Sequence, residues 1–282
     1  MNMCTRLKEL LNTGTTLVMP DAYDPISARI IEKSGFLAVQ CSGGSYSISA
    51  CYKSEADIMY QDNLEQTKKI VQAVNIPVMA DGEDGYGDAK AMDKTIRDYI
   101  AAGAAGINIE DQIISRGGPT RIIEKEAMIE KIIAAKEAKH AAGSPDFIIN
   151  ARTDALKVTA DRISNRNEAI DRANAYLAAG ADLTFVAYAN TLEEVVILKH
   201  EIQGPLSIAA GLPYNIKEFS VQELIDLKLA RVSLPMLMIY SSIQGMLKSL
   251  GSIKNSNSFE EIIARELTCS NDDISFLRGD SL

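Results

Sequence analysis

Histidine is nearly absent. The 282 residues hold two, His140 and His200, each in a helix-forming stretch beside Lys and Glu and each expected in solvent. That excludes a histidine general base, a Ser-His-Asp triad and a histidine-ligated zinc site. Proton transfer falls instead to carboxylates, tyrosines, a thiol or a metal-bound water. Cysteine is also scarce. Cys4, Cys41, Cys51 and Cys269 share no CxxC spacing, so neither a zinc cluster nor a disulfide framework is indicated. There is no basic run, and the formal net charge is −9, which argues against nucleic acid or an anionic membrane as a partner. No apolar stretch approaches the roughly 18 residues that span a bilayer. The opening "MNMCTRLKELLNTG" is amphipathic and lacks the apolar centre and cleavage site of a signal peptide. A protein of the reduced cytoplasm is expected. Neither GxxxxGK[ST] nor GxGxxG occurs, so the usual phosphate cradles are missing too.

What is present is a pattern repeated eight times: a short apolar or β-branched run, a polar turn, then a stretch with apolar residues at helical spacing. The strand candidates are 15–19 "TTLVM", 37–41 "LAVQC", 76–80 "IPVMA", 106–110 "GINIE", 147–151 "FIINA", 183–187 "LTFVA", 206–210 "LSIAA" and 230–234 "ARVSL". Short strands apolar on both faces, alternating with helices, imply parallel βαβ units. Eight of them point to an α/β protein with a closed (β/α)8 TIM-type barrel; an open doubly wound sheet is the alternative. Residues 1–282 read as one domain. Residues 236–282 form a helical extension that packs on its own barrel or on a neighbouring subunit.

In such a barrel the chemistry sits where strands end. Those positions carry Ser42-Gly43-Gly44, then Asp81, Glu83 and Asp84 within "MADGEDGYG", then Glu110 and Asp111, then Arg152 and Asp154. Carboxylates from adjacent strand ends, opposite an arginine, are what a divalent cation and an anionic substrate require. Hard oxygen ligands suit Mg²⁺, with Mn²⁺ as the alternative; Asp81, Glu83 and Glu110 are the candidate ligands. The plainer reading of "MADGEDGYG" is a solvated acidic turn. For Arg152 the two readings are a clamp on a substrate carboxylate and a pairing with Asp154 or another barrel acid.

At these residues the sequence resembles the isocitrate lyase / phosphoenolpyruvate mutase superfamily. The resemblance runs through "MPDAYDPISARIIEKSGFLAVQCSGG", "PVMADGEDGYGDA", "AGAAGINIEDQ", "INARTDA" and "EAIDRANAYLAAGADLTFV". It implies a (β/α)8 barrel with its last helix swapped between subunits, a homotetramer made of two such dimers, Mg²⁺ near Asp81, and chemistry through the enolate of a 2-oxo acid. It places the 2-oxo acid end against Ser42, Gly43, Gly44 and Arg152, and it matches a lid aspartate to Asp57 in "SEADIM".

The departures from that pattern are specific. The C–C lyases of the superfamily carry a KKCGH-like segment after the fourth strand. Here "EDQ" is kept, but "IISRGGPTR" follows, without Cys, Lys or His. The mutase-type continuation is missing as well, Glu83 replaces the second acid of the metal motif, and Ala187-Tyr188 stand where a glutamate is expected after strand six. Arg116 and Arg121, on a glycine-rich segment read as a lid, either grip a distal anionic group or lie in solvent. Cys51 is a bystander or a substitute thiol. Tyr46 and Tyr188 are candidate proton donors by position. The leading expectation is a Mg²⁺-dependent lyase that cleaves a C–C bond in a small 2-hydroxy or 2-oxo carboxylic acid. The alternatives are a P–C bond enzyme of the phosphonopyruvate hydrolase or mutase kind, and a 2-oxo acid binding protein without catalysis.

Overall fold

A computed structural model describes residues 2–115 and 117–278. All eight apolar runs form strands: β1 Leu17–Ala22, β2 Val39–Cys41, β3 Val78–Asp81, β4 Gly106–Glu110, β5 Ile148–Thr153, β6 Leu183–Val186, β7 Leu206–Ala209 and β8 Arg231–Leu234. Each pairs in parallel with the next, and β8 closes on β1 through Leu17↔Arg231 and Met19↔Ser233. The arrangement is a (β/α)8 barrel, not an open sheet. β1 runs three residues beyond its expected end, through Pro20, so that Asp21 rather than Met19 stands near the barrel mouth. A proline is tolerated in a strand only where its missing N–H is not needed.

The helices are α1 Met3–Leu11, α2 Pro25–Lys33, α3 Gly43–Ser49, α4 Tyr60–Ala73, α5 Ala89–Ala101, α6 Lys125–Ala141 and α7 Arg162–Ala179. They continue with α8 Leu192–Glu201, α9 Val221–Asp226, α10 Leu237–Ser256, α11 Glu260–Ala264 and α12 Asn271–Arg278. Their ends are set by local chemistry. Asp24 accepts the Ser27 N–H at 2.7 Å while the Ser27 hydroxyl accepts the Asp24 N–H, a reciprocal cap that starts α2. α7 stops at Gly180, whose φ of +110° a residue with a Cβ would enter only with strain.

The N-terminal end of the barrel is plugged by α1, whose fully buried Leu7 packs with Leu17, Met19, Met79 and Ile148. Between this plug and the mouth the interior turns polar. Asn150 donates to Asn108 at 2.6 Å, and the buried Arg231 crosses the interior to Ser207 at 2.9 Å and Gln40 at 2.8 Å. The segment after β4 is pinned at its base by an antiparallel bridge, Gln112↔Ile122, and by Ile113 N–H donating to Arg121 O at 2.8 Å. In the C-terminal extension, α12 lies on α2 of the same chain, with Arg29 donating to Leu277 O at 2.9 Å. Among the described residues no helix is long and apolar enough to cross a membrane.

Candidate active site

The strand ends enclose a cavity of about 240 Å³, divided by chemistry. β1 to β5 and their loops supply Asp21, Ser42, Gly44, Glu55, Asp81, Glu83, Asn108 and Arg152; β6 to β8 supply an apolar and aromatic wall.

The acidic half is held by backbone geometry. Gly43 opens α3 and donates its N–H to Asp81 Oδ2 at 2.9 Å, an ion–dipole contact that fixes this carboxylate at a helix N-terminus. A Cβ at Gly43 would overlap Glu83 Oε1, so the absent side chain is what lets Glu83 fold over the site. Glu83 sits at φ +49° and is buried, and its Oε1 has no hydrogen-bond partner. Burial pushes its carboxyl well above the usual carboxylate range, and the charges of Asp81, Glu110 and Glu55 add to that. Burial likewise raises Asp81, against the Gly43 N–H, which lowers it. It also raises Glu55 and, well above the usual range, Asp21, whose Oδ1 is another buried oxygen without a partner.

Arg152 closes this half. Its Nε and Nη2 donate to the two oxygens of Asp154 at 3.0 and 2.8 Å, and its Nη1 stands 2.7 Å from Glu110 Oε2. Burial works against the guanidinium charge, but Asp154 and Glu110 more than offset it, so the cation is permanent. Arg152 is paired with barrel acids, one of its two readings, and it also lines the cavity. A guanidinium has five N–H groups; Asp154 engages two and Glu110 a third, which leaves two for a ligand. Asp111, next to Glu110, turns away from the cavity. It accepts from Tyr176 at 2.7 Å and Arg172 at 3.2 Å and receives the Asp154 N–H at 3.0 Å, tying the ends of β4 and β5 to α7.

Of the residues expected from sequence, Ser42, Gly44, Asp81, Glu83, Arg152 and Tyr188 line the cavity. Gly43 contacts Asp81 and Glu110 contacts Arg152, and neither itself lines the cavity. Ser42 caps α3 by accepting the Ser45 N–H at 3.2 Å, which leaves its own O–H able to donate. Tyr188 has φ +66°, and burial raises its phenol to about 12. Asp57 is half-buried on the short turn Glu55–Asp57, and it is Glu55 from that turn that lines the cavity. Tyr46 packs edge-on against Tyr52 and Arg121 is exposed; neither lines the cavity. Cys51 is exposed. Arg116 lies outside the described residues. Asp21, Glu55, Asn108 and Tyr214 line the cavity without having been singled out. For Asp21 a signal existed in "MPDAY", one residue past a proline at a strand end.

Among the described residues no three carboxylate, thiol or imidazole groups converge as a preassembled metal cluster. Mg²⁺ seldom needs one, since it keeps several waters and takes one or two carboxylates directly. The donor set fits such an ion: Glu83 Oε1 is buried and unpartnered, Asp81 is beside it, and Glu83 takes up the room that a side chain at Gly43 would fill.

The family described as phosphoenolpyruvate phosphomutase matches residues 7–254. The chain belongs to the isocitrate lyase / phosphoenolpyruvate mutase superfamily. It is 34% identical to 2,3-dimethylmalate lyase of Eubacterium barkeri over 211 residues, 72% of this chain and 70% of that one. It is 33% identical to 2-methylisocitrate lyase of Aeropyrum pernix over 204 residues, 71% of this chain and 63% of that one. A solved phosphonopyruvate hydrolase in complex with oxalate and Mg²⁺ superimposes with a TM-score of 0.86 at 26% identity, covering 99% of this chain and 96% of that one. Superfamily relatives therefore include both carbon–carbon lyases and a P–C bond enzyme, and this chain is an enzyme of that superfamily.

Proposed function

We propose that this superfamily enzyme is a Mg²⁺-dependent lyase that cleaves a C–C bond in a small 2-hydroxy or 2-oxo carboxylic acid through an enolate. The observation that carries the reading is the meeting, in one cavity, of adjacent carboxylates Asp81 and Glu83, the latter with a buried oxygen that has no partner, and a permanently charged Arg152. Asp81 and Glu83 would hold the cation, with Glu110 fixing Arg152 beside them. When bound, the cation withdraws electron density from the 2-oxo or 2-hydroxy oxygen. Arg152 neutralises the substrate carboxylate with the donors left over from Asp154 and Glu110. The Ser42 hydroxyl and the Gly44 N–H, at the start of α3, face the developing enolate oxygen. The Gly43 N–H is committed to Asp81 and acts by holding it. With a 3-carboxy-2-oxo acid, the bond beta to the carbonyl breaks to release CO2 and leave its electron pair on the enolate. With a 2-hydroxy acid, a lining carboxylate such as Glu55 takes the hydroxyl proton as the new 2-oxo group forms and the other fragment leaves as the enolate. In either case the enolate then needs a proton at C3. Tyr188, in the cavity wall and protonated at neutral pH, supplies it.

The carbon–carbon reading is favoured over P–C chemistry because Arg152 is the one cationic side chain among the described lining residues, and a phosphonate dianion beside a second carboxylate needs more positive charge than that. The superfamily's assembly is proposed here as well: a homo-oligomer in which α10 to α12 meet a second copy. Leu247, Leu250 and Ile263 on that extension are 62, 69 and 72% exposed, more apolar surface than a solvated tail usually presents.

The test is turnover followed by ¹H and ³¹P NMR with Mg²⁺, using malate derivatives, oxaloacetate, methylisocitrate and phosphonopyruvate. Cleavage of a carbon acid that disappears in Arg152→Ala supports the proposal. Phosphate or phosphoenolpyruvate formed from phosphonopyruvate replaces it with P–C chemistry. No turnover of any compound, with binding retained, replaces it with a binding protein.

A further inference from the structure

Tyr188 stands in the cavity wall on a backbone that disfavours it. Its φ is +66°, in the left-handed region that a residue with a Cβ enters at a cost. Such a conformation persists only where the surroundings over-determine it, and it concentrates at functional positions. Here the backbone is held at four consecutive residues. The Ala187 N–H donates to Thr153 O at 3.0 Å, and Tyr188 O accepts from Arg162 Nη2 at 2.6 Å. Ala189 O accepts from Asn215 Nδ2 at 3.1 Å, and the Asn190 N–H donates to Glu194 Oε2 at 3.2 Å.

Arg162 is the hub of these contacts. Besides Tyr188 O, it donates from Nη1 to Leu156 O at 2.6 Å and from Nε to Glu194 Oε1 at 2.8 Å, while Nη2 also donates to Glu194 Oε2. Four of its five N–H groups are engaged, and one arginine thereby joins the segments after β5 and β6 to α8. Glu194 is 4% exposed, so this is not a loose surface pair. The ring of Tyr188 is braced from the same segment: Lys157, next to Leu156, sets its ammonium 4.5 Å from the ring centre, and the Tyr214 ring centre is 5.7 Å away. The place of Arg162 in the chain is a second, independent observation. It is the first residue of α7, where the helix dipole disfavours a cation. A residue kept against its local electrostatics points to a task set by the tertiary structure. Neither Arg162 nor Glu194 lines the cavity.

We infer that Arg162, braced by Glu194, is a positioning residue for Tyr188 and holds the phenol where it reaches the enolate carbon. This rests on the enolate reading and deepens it by naming what aims the proton donor. In the step served, the phenol O–H bond breaks and a C–H bond forms with the electron pair of the enolate. The phenolate left behind takes its proton back from water. Because Arg162 does not meet the substrate, its loss acts on proton delivery and leaves ligand binding nearly intact. A brace for the barrel as a whole would instead lose both together.

The experiment places 3-fluorotyrosine at position 188 of the full chain and reads it by ¹⁹F NMR with Mg²⁺ and oxalate. With Arg162 present, one line is expected, and it moves when oxalate binds. In Arg162→Gln the line is expected to move toward that of free fluorotyrosine and to stop responding to oxalate, while calorimetry finds oxalate affinity within about twofold. Since Arg162→Gln leaves Glu194 buried without its cation, Arg162→Gln/Glu194→Gln is made alongside it, with the same expectation. On the carbon acid that the unaltered protein cleaves, kcat is expected to fall by about tenfold to a hundredfold in Arg162→Gln with KM little changed. Added to Tyr188→Phe, the same substitution is expected to change kcat by less than about twofold. An unmoved fluorine line, an equal loss of oxalate affinity, or a full kcat loss on top of Tyr188→Phe overturns the inference. Failure of oxalate to bind the unaltered protein overturns the 2-oxo acid reading instead, and the fluorine line still decides whether Arg162 places Tyr188.

Discussion

Glu83 is the residue on which the cation site turns. A buried carboxyl with an oxygen lacking any partner costs stability unless a ligand answers it. Glu83→Gln is therefore expected to raise the melting temperature of the metal-free protein while abolishing the increase that Mg²⁺ gives the unaltered one. Differential scanning fluorimetry with EDTA and with Mg²⁺ measures both, and a Mg²⁺ shift surviving in Glu83→Gln would remove it from the site. Gly43→Ala drives a methyl group into Glu83 Oε1 and is expected to weaken Mg²⁺ by about tenfold or more, as loss of a ligand's support does. Arg231 acts from deeper in the barrel. Its charge is paired with neutral Ser207 and Gln40; burial pulls it down to about 10, against the opposing pull of Asp21 and Asp81. Removing that charge in Arg231→Met makes the acid pocket more negative, so near neutral pH, where Arg231 is charged in the unaltered protein, Mg²⁺ is expected to bind more tightly and oxalate less. Simple loss of structure would weaken both. Little of this was readable beforehand. Asp81, Arg152 and their neighbours stand at strand ends in a recognisable motif. The charge of Arg231, by contrast, is hidden inside the apolar run "ARVSL", and only closure of the barrel brings β8 within reach of Gln40 on β2.

Elements were far more legible than the side chains between them. All eight strands show as short apolar or β-branched runs because helices cover their outer faces, although Gln40, Asn108, Asn150 and Arg231 interrupt them on the inner face; β1 extends past its expected end, with Pro20 kept in the ladder. The short turn Glu55–Asp57 shows the limit. Its motif pointed to Asp57, but a one-turn 3-10 helix separates neighbouring side chains by about a third of a turn, and it is Glu55 that reaches the cavity. At this scale the Asp111–Tyr176–Arg172 knot holds the ends of β4 and β5 against α7. Asp111→Ala leaves the Arg172 charge buried without that partner and is expected to cost about 3 kcal/mol in chemical denaturation. A loss under about 1 kcal/mol would mean that Glu168, which also pairs with Arg172 at 2.6 Å, suffices. Asp98 on α5 accepts from Lys94 and from Tyr60 of α4 at 2.7 Å. These bonds hold its carboxyl below the usual range. Since its folded pKa lies below the unfolded value, the contribution is present above about pH 4 and is lost as the pH falls through the folded pKa. Asp98→Asn should lower the melting temperature at neutral pH and give a shallower acid decline; parallel curves would contradict the assignment.

For the whole molecule, the superfamily was legible because its motifs fall in order around one closed barrel, and closure is what gathers distant segments into one cavity. The reaction was less legible, because it depends on which side chains fill β6 to β8 and on a segment after β4 that departs from both the lyase and the mutase patterns. The exposed apolar residues of α10 and α11 predict an oligomer in solution, which light scattering after size exclusion reads directly; a monomer at micromolar concentration would contradict it. The central claim is that Asp81, Glu83 and Arg152 form one site for a cation and a 2-oxo acid together. Calorimetric titration of oxalate, with and without Mg²⁺, tests it most directly. Oxalate should bind in Mg²⁺, lose most of its affinity in EDTA, and lose it also in Arg152→Ala with Mg²⁺ present. Equal binding with and without the cation would contradict the account.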